Sequence, residues 1–393
     1  MVNKPWKDIK ILDISQGIAG PSCAQMFAEQ GAQVIKVEPP TGDWGRFVGV
    51  TSGEQSALSM QYNVAKRGLA LDARTQEGQA LLKTLAPRFD VVVQNFRPGV
   101  VERMGMDHET LSAKNPGLVY LSISGYGPDG PYAKRPASDS VMQADSGLMH
   151  MNRTPDNQPR RVGMLMADIL TGLYAAQALS AALYQRQNTG KGLHIETSLF
   201  ESCVAFQGMG LLEHAMVGTQ PVGAVSAPNG VFETTDGQVS VVVLNDAQFQ
   251  RFCAAIGREA WCEDPSLASN QARMAAKERL HALVAQILRE ASTAHWVAKF
   301  GEHDVLHAVV RDYESVQSHP QATHLNLFQT VSQPAVGELL RTASPIAAFR
   351  SEGAVAPLIG EHSIEILHEF GVEQGQIDQL LASKVVKQAE DSK

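Results

Sequence analysis

The chain has 393 residues, of which 44% are hydrophobic and 19% charged, a balance typical of a folded globular protein rather than a disordered one. The formal net charge of -8 argues against nucleic-acid binding, because that class needs a basic surface. The length exceeds what one ordinary core accommodates and predicts two structural units.

The N-terminus and the cysteines indicate the compartment. The first ten residues are charged and lack the apolar run of a secretory signal, and no stretch approaches the ~20 uninterrupted apolar residues that a membrane span needs. We therefore expect a cytoplasmic protein with no membrane partner and no bound metal. The cysteines follow no metal-binding or redox spacing and are expected to be small buried apolar residues. They are Cys23, Cys203, Cys253 and Cys262.

The first predicted elements form a β-α-β unit. Residues 9–14 predict a buried strand, Pro21 suits the first turn of a helix that continues to Gln30, and residues 33–38 predict the next strand. This connection implies a parallel sheet covered by helices. The alternation continues along the chain. It predicts strands at 68–72, 90–94, 118–124 and 193–197 and helices at 75–88, 167–187 and 198–217.

The amino-acid composition of the sequence changes after Gly218. Residues 218–230 are rich in Gly, Pro and Ser and predict a linker, and residues 231–243 predict a hairpin. Helices are expected over 247–300, and a smaller α+β domain is predicted at 226–320. From residue 326 the chain is predicted to be extended, then helical over 361–383, with a frayed end over the last ten residues. The fold class is therefore mixed α/β.

The turn after the first strand matches a dinucleotide-binding motif only in part. Glu38 ends the second strand, where an acidic residue would bind a ribose. However, Gly17-Ile-Ala-Gly20-Pro21 lacks the middle glycine that lets the backbone approach a pyrophosphate. We therefore expect neither a nicotinamide nor a flavin at this turn.

Polar loops follow two of the later strands. Asn95, Phe96 and Arg97 come after the strand at 90–94, and ligands of open α/β sheets bind at the carboxyl ends of strands. An arginine there either binds a phosphate or is a solvated loop cation. The glycine-proline loop 124–131 either allows a ligand to approach the backbone or is only a turn.

Asp168 is the carboxylate of greatest interest. It follows an apolar stretch, Met164–Met166, and is the second residue of the predicted helix 167–187. A helix N-terminus offers backbone amides to an acidic side chain, so one interpretation is a helix cap. The other is a catalytic carboxylate in an apolar setting.

Together these segments resemble the class III CoA-transferases. The likeness runs in the order of the family from Ile11 to about Ser202, and APNGVFETTDGQ extends it into the smaller domain. It implies a Rossmann-like large domain built from residues 1–225 and 321–393, and an interlocked, ring-like homodimer. The matching stretches are LDISQGIAGPSCAQMFAEQGAQVIKVEPPTGD, NVAKRGLALDART, VVVQNFRPGVVERMGM, NPGLVYLSISGYGPDGP, MADILTG and NTGKGLHIETSLFES.

The resemblance also implies the reaction. CoA would move from an acyl-CoA donor to a carboxylic acid acceptor, through a thioester between CoA and the carboxyl group of Asp168. Coenzyme A, as part of the substrate, is the only cofactor expected. The CoA contacts that the resemblance implies are Ile18, Ala19, Leu71, Ala73, Arg74, Asn95, Phe96, Arg97, Arg103, Ala137 and Asp139.

The sequence departs from the formyl-CoA:oxalate enzyme of that family at several positions. Pro39 stands where that enzyme has an arginine, and Pro136 where it has a lysine. The candidates for the missing phosphate contacts are Lys66, Lys134 and Arg135. Residues 218–230 lack that enzyme's run of glycines, which argues against oxalate as the acceptor. The smaller domain and the loop Val222–Gly230 are expected to set the choice of substrate.

Two other functions fit the same sequence. α-Methylacyl-CoA racemases resemble this family, but they need an acid and a base on opposite faces of the α-carbon. Their His-Asp pair falls on Ser138-Asp139, and a serine cannot be that base. A non-catalytic acyl-CoA binding protein would not need a carboxylate at position 168. Transfer activity of the wild type and of Asp168→Ala separates the three functions.

Overall fold

The computed structural model describes residues 4–154, 156–218 and 225–390, in two compact units. One unit combines Met1–Leu212 with Leu325–Lys393, and the other is Glu213–His324. The sequence placed the smaller domain at 226–320. Of the predicted linker, residues 219–224, and with them Val222, lie outside the described residues.

Strands and helices alternate along the first stretch of the chain. The helix predicted over 198–217 is in fact two helices that meet at Gln207. The strands are β1 (Lys10–Asp13), β2 (Gln33–Glu38), β3 (Thr51–Ser52), β4 (Gln55–Ser56), β5 (Arg67–Leu71), β6 (Val91–Gln94), β7 (Val119–Ser124) and β8 (His194–Ser198). The helices are α1 (Ala19–Glu29), α2 (Ala57–Tyr62), α3 (Gln76–Leu85), α4 (Val100–Met104), α5 (His108–Ser112), α6 (Asp139–Asp145), α7 (Leu148–Met151), α8 (Met166–Thr189), α9 (Leu199–Phe206) and α10 (Gly208–Val217).

The second unit has an antiparallel sheet in the strand order β11-β10-β9, and the predicted hairpin forms its β9 and β10. Its elements are β9 (Asn229–Glu233), β10 (Gln238–Val242), α11 (Asp246–Ala255), α12 (Asn270–Ala275), α13 (Lys277–Leu288), α14 (Thr293–Glu302), β11 (Leu306–Val309), α15 (Tyr313–Gln317) and α16 (Pro320–His324). The C-terminal stretch adds β12 (Phe328–Gln333), β13 (Gly337–Thr342), α17 (Ser363–Glu369), α18 (Gln374–Ala382) and β14 (Val386–Lys387) to the first unit.

A seven-stranded sheet in the order β14-β5-β2-β1-β6-β7-β8 forms the centre of the first unit. Its strands are parallel except for β14, which pairs antiparallel with β5 at one edge. Alternate residues of β1 face opposite cores: Ile11 packs with α1 and α8, and Leu12 packs with α3, α17 and α18. Both faces are therefore buried, which explains the mostly apolar sequences of β6 and β7, whereas β2 and β8 also carry polar residues.

The C-terminal end differs from its prediction. Residues 384–393 were expected to be frayed, but Val386 pairs with Leu71 and Lys387 with Ala70. The side chains of Val385 and Val386 are buried in the core, so this end is fixed by apolar contacts as well as by the sheet. Residues 391–393 lie outside the described residues.

Helix α8 carries Asp168 in its first turn and packs against α1. A Cβ atom at Gly172 would overlap the Oγ atom of Ser22, so the two helices touch at this glycine. By length and composition α8 is the one helix of the described residues that could cross a membrane. Core helices of globular proteins pass the same test, and the buried residues of α8 face the sheet side of the unit.

Candidate active site

A cavity of about 420 Å³ lies at the carboxyl ends of β1, β6 and β7, and Asp168 is on its wall. Parallel strands bring their carboxyl ends to one edge of a sheet, and the loops that follow β1, β6 and β7 meet there. The cavity therefore collects residues far apart in the chain. The sequence-predicted residues on its wall are Ile18, Ala19, Asn95, Phe96, Arg97, Arg135, Ala137, Asp139 and Asp168.

Asp168 is not the cap of its own helix. Helix α8 begins at Met166, and the backbone amide of Ala167 donates a 2.8 Å hydrogen bond to Oδ1 of Asp139. The side chain that caps the N-terminus of α8 is therefore that of Asp139, on α6. The carboxyl group of Asp168 does not cap the helix and is left for another role.

Burial raises the pKa of Asp168 from its usual range to about 7, and the nearby carboxylate of Asp139 contributes to the rise. Both effects disfavour the ionised form, the first through lost hydration and the second through repulsion between like charges. A carboxylate of raised pKa is more basic and hence a stronger nucleophile than an ordinary aspartate.

Asp139 is held rigidly on the cavity wall. Its Oδ2 accepts a 2.8 Å hydrogen bond from the side chain of Gln143, which also binds the carbonyl of Met164 and the amide of Val162. Both carboxyl oxygens of Asp139 are thus engaged by protein donors. Although the resemblance placed Asp139 among the CoA contacts, its side chain supports the start of α8.

Asn95 also has a different role from the one expected. Its side-chain amide donates to the carbonyl of Gln16 at 2.6 Å and accepts from the amide of Gln16 at 2.7 Å. These two bonds fix the backbone of Gln16, so a contact between CoA and the Asn95 side chain is not supported by the geometry. The neighbouring Phe96 and Arg97 reach the cavity, and the described residues contain no ion-pair partner of Arg97.

Lys66 is unavailable for a phosphate. Its buried ammonium group binds Oδ2 of Asp13 at 2.7 Å, the carbonyl of Pro21 at 2.9 Å and Oδ1 of Asn63 at 3.0 Å. These three bonds use all three donors of a lysine. The interpretation of Lys66 as a phosphate ligand was wrong, because a sequence does not show which cations are already paired inside the protein.

Four other implied contacts lie off the cavity wall. Leu71 is buried at the end of β5, and Ala73 packs against the same core. Arg74 is exposed and pairs with Asp72 at 2.8 Å. Arg103 lies on α4 but not on the wall.

Several wall residues were missed in the sequence. They are Gln16, Trp44, Val48, Leu58, Ser140 and Leu199, among others. Trp44 packs against Gly17, where φ is +74° and a Cβ atom would overlap the indole ring. This glycine was noticed in the sequence for its turn, but the aromatic ring that requires it could not be located.

The N-terminus of α1 offers backbone amides to the cavity. Its cap residue is Ile18, whose side chain forms no capping bond, and both Ile18 and Ala19 are on the wall. The first amides of a helix have no intrahelical acceptor and carry a partial positive charge. They can therefore stabilise negative charge that develops near Asp168.

The comparisons with known proteins agree on one family. The model of "CoA-transferase family III" matches residues 6–363. The chain is 32% identical to the human succinyl-CoA:glutarate CoA-transferase, over 98% of this chain and 91% of that protein. It is 34% identical to the acetyl-CoA:oxalate CoA-transferase of Acetobacter aceti, over 77% and 78% of the two chains. Among solved structures, a CAIB/BAIF family protein from Brucella suis superposes with a TM-score of 0.85 at 30% identity, covering 94% of this chain and 100% of that one.

Proposed function

Because the chain belongs to CoA-transferase family III, we propose that it transfers CoA through a covalent thioester at Asp168. Transfer of CoA from an acyl-CoA to a carboxylic acid follows from the family, and the resemblance read from the sequence is confirmed. The observation that supports Asp168 as the nucleophile is its position, partly buried on the cavity wall. Its pKa is raised by burial and by the charge of Asp139, and no hydrogen bond to its carboxyl group contributes to this shift.

Each half of the proposed reaction has two steps: a carboxylate attack that forms a C–O bond and breaks a C–S bond, and a thiolate attack that forms a C–S bond and breaks a C–O bond. The Asp168 carboxylate attacks the thioester carbonyl, which forms a mixed anhydride and releases CoA thiolate. The thiolate then attacks the aspartyl carbonyl, which gives aspartyl-CoA and the free donor acid. The carboxylate of the acceptor attacks this thioester in turn. The second thiolate attack produces the new acyl-CoA and restores Asp168.

The walls of the cavity suit these steps. Each attack generates an oxyanion, and we propose that amides at the start of α1, whose residues Ile18 and Ala19 line the cavity, stabilise it. Apolar side chains such as Trp44, Leu165 and Leu199 line the same space and limit the water that would hydrolyse an anhydride.

We propose that CoA is held by backbone and side chains on this wall, with Arg97 on a phosphate group. The CoA contacts retained from the resemblance are Ile18, Ala19, Phe96, Arg97 and Ala137, all of which line the cavity. An arginine binds phosphate through two parallel hydrogen bonds, so an unpaired Arg97 at a strand end suits this role.

For the acceptor we propose a dicarboxylic acid, with Arg135 as the group that binds its distal carboxylate. The guanidinium group of Arg135 lies 3.5 Å from the centroid of the Tyr132 ring and on the cavity wall. This stacking leaves its N–H groups, which lie in the guanidinium plane, free to meet a carboxylate. The human and Acetobacter relatives are named for dicarboxylates, including oxalate, so the missing glycine run is a weak argument against oxalate.

The two alternative functions lose support. The relatives reported above are CoA-transferases, and Ser138, at the N-cap of α6, cannot provide the base of a racemase. A passive acyl-CoA binder would not need a buried carboxylate of raised pKa in the binding cavity.

We propose a homodimer in the interlocked form that the resemblance implies. Large apolar side chains remain exposed on α8 and α9, which a second copy would cover. They are Leu173, Tyr174, Tyr184 and Phe206. Sedimentation of the full chain should show a dimer that does not dissociate on dilution, and a concentration-dependent monomer would contradict this form.

The four cysteines are free thiols, which supports the cytoplasm as the compartment.

Mass spectrometry of a half-reaction tests the proposed nucleophile. Wild-type enzyme mixed with succinyl-CoA and no acceptor should gain the mass of CoA less one water, on the peptide that contains Asp168. Hydroxylamine should attack this thioester and inactivate the enzyme only after exposure to the donor. Asp168→Asn, which is nearly isosteric, should show neither signal while it still binds free CoA.

Two results would contradict the mechanism. An adduct on another carboxylate, such as Asp139, would remove Asp168 as the nucleophile but keep the covalent route. Transfer at the wild-type rate by Asp168→Asn, with no adduct on any residue, would indicate a direct transfer without an enzyme-bound thioester.

A further inference from the structure

The loop between β1 and α1, residues Ser15–Gly17, is held by side chains from β1, from β2 and from the loop after β6. The amide of Ser15 donates to Oδ1 of Asp13 at 3.1 Å, and the carbonyl of Ser15 accepts from the ammonium group of Lys36. The amide and the carbonyl of Gln16 both bind Asn95. Each of these backbone groups therefore has a side-chain partner.

Asp43 completes the support of this loop. Its Oδ2 accepts the amide of Gly17 at 3.0 Å and pairs with the ammonium group of Lys36 at 3.0 Å, and its Oδ1 accepts the amide of Gly45 at 2.9 Å. The carboxylate thus joins the β1–α1 loop to the segment that carries Trp44. Asp43 and Lys36 are both buried.

Lys66 extends the network to the first turn of α1. It pairs with Asp13 and also donates to the carbonyl of Pro21. The four buried side chains Asp13, Lys36, Asp43 and Lys66 are hereafter the charge network. They form two ion pairs that share Ser15: Asp13 binds its amide and Lys36 its carbonyl.

The loop and the first turn of α1 lie beside the reacting carboxylate. Gly172 is four residues after Asp168 and so lies on the same face of α8, one turn further on. A Cβ atom at Gly172 would overlap Ser22 and would approach the carbonyl oxygen of Ala19 to 3.0 Å. Movement of the loop would therefore displace the amides of α1 relative to Asp168.

We propose that the charge network positions the β1–α1 loop for CoA transfer, with Asp43 and Lys36 as positioning residues. Stability alone does not account for such a network, because buried ion pairs can often be replaced by apolar side chains of similar volume without loss of stability. What apolar side chains cannot replace is the bonds to Ser15 and Gly17, which fix the loop in one geometry. The inference rests on the proposed function in taking Asp168 as the reacting group.

The double variant Lys36→Met/Asp43→Leu separates positioning from stability. Each single variant leaves one buried charge without its partner and should unfold at a lower temperature than the double variant, which removes both. If the pair only stabilises the fold, activity should return with stability in the double variant. If the pair positions the loop, kcat should stay low because the amide of Gly17 and the carbonyl of Ser15 remain without their partners.

The matched control is Glu29→Leu/Arg341→Met. This pair is also buried in the first unit, at 3.4 Å, but Glu29 is at the other end of α1, about 15 Å along the helix from Ala19. The assay uses succinyl-CoA and glutarate, with the transfer rate and the Asp168 adduct measured in the same preparations. Hydrogen exchange of the peptide that spans the β1–α1 loop is measured without substrate.

We expect kcat of the double variant to fall at least tenfold, with a smaller change in the KM for succinyl-CoA, while the control keeps kcat within twofold. The loop peptide should exchange faster in the double variant alone. A double variant that is folded and has kcat and loop exchange within twofold of the wild type would overturn the proposal.

If the double variant does not fold, the near-isosteric Asp43→Asn replaces it: its one amide oxygen can still accept from Lys36, unlike a leucine at this position, but it can no longer accept from Lys36, Gly17 and Gly45 together. Its kcat should fall at least tenfold, and a value within twofold of the wild type would overturn the proposal. Measuring the adduct keeps the two proposals distinct. A wild-type enzyme that transfers CoA without an adduct would contradict Asp168 as the nucleophile. Variants of the charge network with unchanged kcat would contradict its role in positioning the loop. If succinyl-CoA and glutarate give no turnover, hydrogen exchange of the loop peptide decides whether the charge network positions the loop.

Discussion

The carboxylate of Asp139 accepts a 2.8 Å hydrogen bond from the backbone amide of Ala167, the residue that precedes Asp168. The contact holds the first turn of α8 against α6 and thereby places Asp168 on the cavity wall. The same carboxylate also raises the pKa of Asp168, because two negative charges in one cavity repel each other. Asp139 therefore affects both the position and the basicity of the proposed nucleophile.

The variant Asp139→Asn should shift the pH dependence of transfer. Asp168 reacts as the carboxylate, so the rate of the half-reaction should rise with pH through the region of its pKa, which is about 7 in the wild type. Removing the charge of Asp139 lowers that pKa and moves the rise to lower pH, while burial, the larger cause, keeps it above the usual range. Asparagine retains an oxygen that can accept the Ala167 amide. A profile that is unchanged, or that moves to higher pH, would contradict the assignment.

Replacing Asp168 with Asn should stabilise the fold at neutral and alkaline pH. The pKa of this carboxyl group is raised from 3.8 to about 7 on folding, so the folded state loses stability as pH rises between these values. Each pKa unit corresponds to about 1.4 kcal/mol, which allows an effect of up to ~4 kcal/mol above pH 7. Thermal unfolding of both proteins at pH 4.5 and pH 8 measures the difference, which should fall to about a quarter of its full size at the lower pH, since pH 4.5 is still above the unfolded-state pKa of 3.8. Equal unfolding temperatures at pH 8 would show that burial does not perturb Asp168.

The variant Arg97→Ala should weaken the binding of free CoA about tenfold or more, because a charge-assisted contact with phosphate contributes about 1.5–3 kcal/mol. Arg74→Ala is the matched comparison, since Arg74 is exposed, pairs with Asp72 and lies off the cavity wall. Calorimetry with both variants should therefore show a loss for Arg97 alone. The reverse order of affinities would restore the contact at Arg74 that the resemblance implied.

The variant Arg135→Gln should discriminate among acceptors. If Arg135 binds a distal carboxylate, the KM for glutarate should rise about tenfold, and the KM for butyrate, which lacks that carboxylate, should change little. The affinity for free CoA should stay within twofold of the wild type. A loss of CoA affinity with equal effects on both acceptors would instead make Arg135 a phosphate ligand, as first suggested by the proline at position 136.

Local patterns in the sequence were sufficient for most strands of the central sheet and for the family. Short runs rich in apolar residues and bounded by turn residues predicted β1, β2, β6, β7 and β8 to within a few residues, because strands in the middle of a sheet covered on both faces are mostly apolar. Strand β14 was missed because its two residues are stable only against the free edge of β5, a contact distant in the chain. The motif order identified the family, and this identification was confirmed.

The sequence by itself therefore determined the chemistry that is available: an acidic residue at position 168 in an apolar setting, and arginines after strand ends. Only the tertiary structure decided which of the polar groups are free to act. Lys66 and Asn95 looked like ligand contacts, yet Lys66 pairs with Asp13 inside the protein and Asn95 binds the backbone of Gln16. The physical reason is that a buried polar group must find a partner, and that partner is chosen by the packing of distant segments rather than by neighbours in the chain.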